Sequence, residues 1–217
     1  RKGGMVSVAD IFSKCKCQQI IYKFVFCFHC DNWLYFDAKL TNNGQISVKI
    51  INFVAQIECL MKITLICIGK TRDRNLVDGI EKYMSRISHY ISFDFVTLPD
   101  LKTTSRLSET QQKEKEGAMI LGALQDSDRV ILLDERGTQM TSREFAQYID
   151  RQMNAGLKRL VFIIGGPYGF SQDVYNRADA KLSLSKMTFS HEMVRLFFVE
   201  QIYRAMTILR GEPYHHD

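Results

Sequence analysis

From residue 61 onward, short apolar runs alternate with amphipathic stretches, and this alternation restricts the fold more than any other feature of the chain. The runs KITLICI (62–68), SFDFVTL (92–98), RVILLD (129–134), RLVFII (159–164) and KLSL (181–184) have the length of strands. Helical patterns separate them. In TRDRNLVDGIEKYMSRISHY, residues Leu76, Ile80, Tyr83, Met84 and Ile87 fall on one face. Ser108-x-x-Gln111 and Thr141-x-x-Glu144 have the form of capping boxes, and Gly156 marks the end of the second of these helices. Strands joined by helices pair in parallel. The expectation is therefore an α/β fold, with a mostly parallel five-stranded sheet and helices on both faces.

Ligands of such sheets sit beyond the carboxyl ends of the strands. Three unusual loops emerge there, at 133–137 (LDERG), 165–169 (GGPYG) and 184–189 (LSKMTF). The glycines of FIIGGPYGF do not form a dinucleotide fingerprint, which follows the first strand as G-x-G-x-x-G. No G-x-x-x-x-G-K-[ST] occurs either. NAD and ATP are thus poor candidates. Gly165 and Gly166 imply either a tight turn, stiffened by Pro167, or a backbone that another group approaches closely.

The last helix opens at Ser190, with Glu192 in its first turn. Its apolar residues cover more than one stripe: Met193, Leu196 and Phe197 against Phe198, Ile202, Ala205, Met206 and Leu209. Such a helix has two sides to bury, one against the sheet and the other against a second subunit. Glu200 and Arg204 have the spacing of an ordinary helix ion pair.

FIIGGPYGF, LSLSKMTFSHEMVRLFFVEQIYRA and RGEPYHH, in this order, resemble the ribosomal RNA large-subunit methyltransferase H family, a branch of the SPOUT superfamily. The resemblance runs from Met61 to the end of the chain. It implies a C-terminal trefoil knot, an exception to the rule against threaded connections. It implies S-adenosylmethionine as cofactor, held by Leu133, Gly165, Leu184, Ser185, Lys186, Met187, Thr188 and Phe189, with no metal. It implies a homodimer formed through the last helix, acting on N3 of a pseudouridine in large-subunit ribosomal RNA on the ribosome. Removing or tolerating loss of the N3 proton points to Arg195, Glu200, Arg204, Tyr214 and His215 as catalytic candidates, the arginines against developing negative charge. A transfer-RNA methyltransferase of the same superfamily and a non-catalytic RNA-binding module are the competing readings.

The net charge of +5 permits RNA without demanding it. Lys62, Lys70, Arg72, Arg74, Lys82 and Arg86 give the first strand–helix unit a basic cast that could meet phosphates. No run of 18 apolar residues exists, so no membrane is expected, and no DNA. The expected compartment is the cytoplasm, with reduced thiols.

Residues 1–60 differ from the rest. They hold Cys15, Cys17, Cys27, Cys30 and Cys59 of the chain's six cysteines, and its one tryptophan, Trp33. Their apolar residues follow no clean period. The expectation is an extension of uncertain order that is not part of the working enzyme, with Met61 as the natural start. The alternative is a metal site built from Cys15, Cys17, Cys27, His29 and Cys30, whose spacing fits no standard zinc pattern.

Overall fold

The computed structural model describes the backbone of residues 22–28, 32–40 and 46–51, and the backbone and side chains of 61–101 and 107–215. The chain divides into two compact units, Arg1–Glu58 and Cys59–Asp217. In the first, β1 (Tyr22–Phe28), β2 (Asn32–Leu40) and β3 (Ile46–Ile51) form an antiparallel sheet in that order. Tyr22 stands opposite Ala38, and Tyr35 opposite Ile51. The candidate zinc residues lie outside the described side chains.

The second unit holds β4 (Lys62–Ile68), α1 (Arg74–Ile87), β5 (Ser92–Leu98), α2 (Glu109–Gly122), β6 (Arg129–Gln139), α3 (Ser142–Asn154), β7 (Arg159–Ile164), α4 (Gln172–Arg177), β8 (Ala180–Ser183) and α5 (His191–Leu209). Its sheet is five-stranded and parallel, in the order β5-β4-β7-β6-β8. The five expected strands all form. Strand β6 runs past its expected end. It pairs with β8 up to Leu133, loops out, and pairs again from Thr138. Helix α4 was not expected, although Ser171 caps it and Asp173 occupies its first turn.

Both faces of the sheet are covered, which explains why its strands are continuously apolar. Ile63, Leu65 and Cys67 of β4 point with Phe162 and Ile164 of β7 toward α1, α3 and α5. Ile66, Ile68, Val161 and Ile163 point the other way, toward Ile120 of α2 and Val174 of α4. On the first face the Phe162 and Phe198 rings meet at a tilt with centroids 4.7 Å apart, and Phe145 meets both edge-on. Burial of this kind stabilises by about 1.5–3 kcal/mol per large side chain.

Local signals hold where they were read. Ser108 with Gln111 and Thr141 with Glu144 form complete capping boxes, and Gly156 ends α3 with φ at 71°. The two apolar sides of α5 are largely accounted for within the chain. Helix α5 lies between α1 and α3, so neighbours in the same chain take its flanks. Phe198, Val199, Ile202, Ala205 and Met206 are buried, while Phe197 at 38% and Leu209 at 37% exposure are what it leaves uncovered. The basic residues of the first strand–helix unit do not share one face. Lys62 starts β4 and pairs with Asp94, while Lys70, Arg72 and Arg74 lie at the opposite end of that strand.

Candidate active site

The carboxyl ends of β6, β7 and β8 enclose a cavity of about 540 Å³. The first wall is Leu133 with the acidic and basic side chains of Asp134, Glu135 and Arg136. Asp134 is held firmly. Its Oδ1 accepts from the Arg136 amide at 2.8 Å, and its Oδ2 accepts from the Tyr175 hydroxyl at 2.5 Å. Burial and that bond push the Tyr175 phenol up to about 12. The neutral donor form of Tyr175 is thus fixed against Asp134.

The second wall is Ile164 and the glycine loop 165–170. Gly166 to Gly169 form a tight turn, closed by the Gly169 amide on the Gly166 carbonyl at 3.1 Å. Pro167 presets the second turn position, and Gly169 takes φ at 82°. The close approach is also real, and its source is the chain itself. A Cβ at Gly165 would meet the Phe170 ring at 3.1 Å, and one at Gly166 would stand 2.3 Å from a Glu116 carboxylate oxygen.

The third wall is the end of β8 and the segment after it, with Ser183, Leu184, Ser185, Met187, Thr188 and Phe189. It is shaped by serines. Ser183 Oγ donates to the Ser185 carbonyl at 2.9 Å, and Ser185 Oγ accepts from the Met187 amide at 2.9 Å. Of the expected cofactor residues, Leu133, Gly165, Leu184, Ser185, Met187, Thr188 and Phe189 line the cavity. Lys186 is exposed and is not among the lining residues. Lys113, Tyr175, His191 and Val194 complete the lining and were not singled out from the sequence. Helices α2, α4 and α5 bring them in, and no local pattern marks them.

The catalytic candidates form a separate group. Arg204 Nη2 donates to Glu200 Oε1 at 2.6 Å, and the Tyr214 hydroxyl donates to the same oxygen at 3.0 Å. The Arg204 guanidinium lies 4.8 Å from the Tyr214 ring centre, and its Nη1 is 3.4 Å from Nδ1 of His215. Tyr83 reaches the Tyr214 hydroxyl at 3.2 Å, and Tyr203 packs edge-on to Tyr214 at 4.8 Å. Burial, then the Tyr83 and Glu200 bonds, raise the Tyr214 pKa well above that of free tyrosine. Tyr214 is therefore a proton donor in this cluster and a poor base. A second clasp holds the tail, where the Tyr90 hydroxyl donates to Glu212 at 2.5 Å.

Arg195 does not belong to this group. It is 1% exposed. Its Nη2 donates to the Ile68 carbonyl at 2.6 Å, and its Nη1 to the Gly69 carbonyl and Thr71 Oγ1, both at 2.9 Å. Nearby, Glu192 accepts from the Arg72 amide at 3.1 Å. Helix α5 thus clamps the turn after β4, and the charge of Arg195 is spent inside the protein. It is placed to hold structure rather than to meet a reacting base.

None of Glu200, Arg204, Tyr214 or His215 lines the cavity of the same chain. Helix α5 contributes His191 and Val194 to it, and Arg204 lies ten residues beyond Val194, about 15 Å along the axis. Between them is a smaller recess of about 390 Å³, which includes Phe197 and Gln201. Gln201 donates to Glu200 at 2.7 Å and accepts from Ser142 at 3.2 Å.

Residues 61–215 match the family model described as "Predicted SPOUT methyltransferase". Curated relatives named "Ribosomal RNA large subunit methyltransferase H" align over nearly their whole length. That of Christiangramia forsetii is 62% identical over 156 residues, 72% of this chain and 99% of the relative. That of Parabacteroides distasonis is 57% identical over 157 residues, 72% of this chain and 100% of the relative. That of Flavobacterium johnsoniae is 56% identical over 156 residues, 72% of this chain and 99% of the relative. With the parallel sheet and the three-loop cavity in place, this match over most of its length makes the chain a member of the SPOUT methyltransferase family.

Proposed function

We propose that residues 61–217 transfer a methyl group from S-adenosylmethionine to N3 of a pseudouridine in large-subunit ribosomal RNA, and that they do so as a homodimer. The observation that carries this reading is the cavity itself. Seven of the eight residues the family resemblance assigns to the cofactor meet in one space of about 540 Å³, within the range of small-molecule sites. The donor set fits such a ligand. Ile164, Leu182 and Val194 supply apolar walls, and Asp134 and Ser185 supply polar anchors. When bound, S-adenosylmethionine supplies an activated methyl on a sulfonium. A C-terminal knot is part of the reading, as the family resemblance implies.

The separation of the cavity from the Glu200–Arg204–Tyr214–His215 cluster favours a site completed by a second protomer. Met187 at 73%, Tyr168 at 46% and Phe189 at 36% exposure ring the cavity, and Phe197 continues this apolar surface along α5. A two-fold axis across α5 brings the cluster of one chain toward the cavity of the other. In that arrangement Arg204, oriented by Glu200, offsets the negative charge that develops on the imide oxygens as N3 loses its proton. Tyr214 keeps its own proton and orients Glu200. His215 is then the tail residue able to accept the N3 proton.

The test is incubation of purified ribosomes with methyl-labelled S-adenosylmethionine, followed by nucleoside analysis. Label in N3-methylpseudouridine of the large-subunit RNA is expected. Label in transfer RNA alone, or none with active cofactor binding, would overturn the assignment. A chain starting at Met61, assayed beside the full chain, tests whether residues 1–60 take part.

A further inference from the structure

The glycine loop has a neighbour in none of the roles above. Glu116, in the middle of α2, is 3% exposed. Its Oε1 accepts from Gln112 Nε2 at 2.8 Å, and its Oε2 has no hydrogen-bond partner. The carboxyl rests flat on Gly166, where a Cβ would stand 2.3 Å from Oε2, 2.8 Å from Cδ and 2.9 Å from Oε1. One residue on, a Cβ at Gly117 would stand 2.2 Å from Ser171 Oγ. A glycine in the loop and another in the helix thus let α2 press against both ends of the segment 166–171. Gly166 lines the cavity. The Glu116 carboxyl therefore lies directly behind cavity wall made only of backbone.

A buried carboxylate with an unpaired oxygen is unfavourable on its own. Burial raises the Glu116 pKa, the Gln112 bond opposes this, and Asp100 adds to the rise. Asp100 stands after β5, with Arg72 3.9 Å away. On the cavity side, the titratable neighbours are Asp134, Glu135, Arg136, Lys113, His191, Tyr168 and Tyr175. A cation across the Gly166 backbone would stabilise the ionised form. A sulfonium is such a cation. Once its methyl has left, the same molecule is a neutral thioether.

We propose that Glu116 is a specificity-determining residue of the donor cavity, a buried carboxyl behind Gly166 that favours the cationic sulfonium donor over its neutral thioether product. This rests on the donor assignment made above. It gives the site a means of releasing spent product in exchange for fresh donor, although the two differ by one methyl and one charge.

The test is calorimetric titration of S-adenosylmethionine and S-adenosylhomocysteine into the full chain and into Glu116→Gln, from pH 4.5 to 9, a range that begins at the ordinary glutamate value from which Glu116 is raised. In the variant, affinity for the sulfonium falls about tenfold at pH 8, equivalent to one pKa unit, while affinity for the thioether stays within about twofold. In the unaltered protein, the sulfonium-to-thioether affinity ratio rises with pH as Glu116 ionises. At the pH values where Glu116 is still partly protonated, binding of the sulfonium also releases a proton, seen as a heat that varies with the ionisation enthalpy of the buffer. The ratio cancels titration of the amino group the two ligands share, and its flatness in Glu116→Gln separates Glu116 from Asp134, Glu135, Lys113 and His191. An unchanged ratio in the variant, or a flat ratio in the unaltered protein, would overturn the proposal. If the variant does not fold, the pH series on the unaltered protein decides alone. If the unaltered protein binds neither ligand, the donor assignment fails, a result distinct from binding both without discrimination.

Discussion

Replacing Arg195 with Met separates a structural clamp from a chemical role. The substitution keeps most of the apolar stem and removes the guanidinium. Three bonds are lost, to the Ile68 and Gly69 carbonyls and to Thr71. Hydrogen bonds to charged groups contribute about 1.5–3 kcal/mol each, and buried carbonyls left unpaired add to the loss. Against this, the variant no longer buries a charge, a relief of several kcal/mol. The balance is a destabilisation of about 3–4 kcal/mol. With a urea slope near 2 kcal/mol/M, the midpoint should fall by about 1.5–2 M. Helical circular dichroism is a suitable probe, because all the described helices lie in the second unit. Below its transition, the folded variant should still bind S-adenosylmethionine. An unchanged midpoint together with lost methyl transfer would refute the clamp and return Arg195 to the chemistry.

Other substitutions test the packing and the tail. Gly137→Ala places a Cβ 2.5 Å from the Leu182 backbone, which has no room to yield, and should cost about 2–3 kcal/mol in thermal or urea unfolding. Gly122→Ala, at the end of α2 with nothing within 4 Å, should instead stabilise by about 0.4–1 kcal/mol. His215→Ala should lower the rate of methyl transfer with little effect on folding, whereas Tyr214→Phe should retain a larger share of the rate, since Tyr214 donates to Glu200 rather than accepting a proton. Unchanged transfer in His215→Ala would discard its role as base. Folded Tyr90 and Tyr175 have pKa values raised to about 12 from an unfolded value of 10, so the stability they contribute is complete below pH 10 and is lost as pH rises toward 12. Alkaline unfolding followed by ultraviolet absorbance should therefore show phenols ionising together with loss of structure, and independent ionisation near pH 10 would contradict the hydrogen bonds to Glu212 and Asp134.

Much of the fold was legible because its determinants are local. Apolar runs flanked by capping residues name their own element, and Ser108, Thr141 and Ser190 cap the helices expected of them. Helix α4 escaped because six residues carry too little periodicity to stand out, even with Ser171 before them. The sheet β1–β3 escaped because only β3 alternates apolar and polar residues cleanly, while β1 and β2 are dominated by apolar residues that follow no such order. The cavity loops were legible as strand ends, and the serine-rich segment after β8 was legible through its resemblance to a family. Lys186, in the middle of that segment, turns outward where the Ser185–Met187 turn bends the backbone.

The sequence alone set the strand–helix order, the parallel sense of the sheet and the segments that meet at its carboxyl edge, because each depends on residues close together in the chain. The charge state of a side chain and its company do not. Arg195 and Arg204 lie nine residues apart on one helix, yet the first is buried against backbone carbonyls and the second reaches Glu200 and the tail. Glu116 looks like one more acid on a polar helix until Gly166 is brought against it. Only the tertiary structure assigned these roles, because desolvation and hydrogen bonding act through neighbours that the chain supplies from 50 to more than 100 residues away.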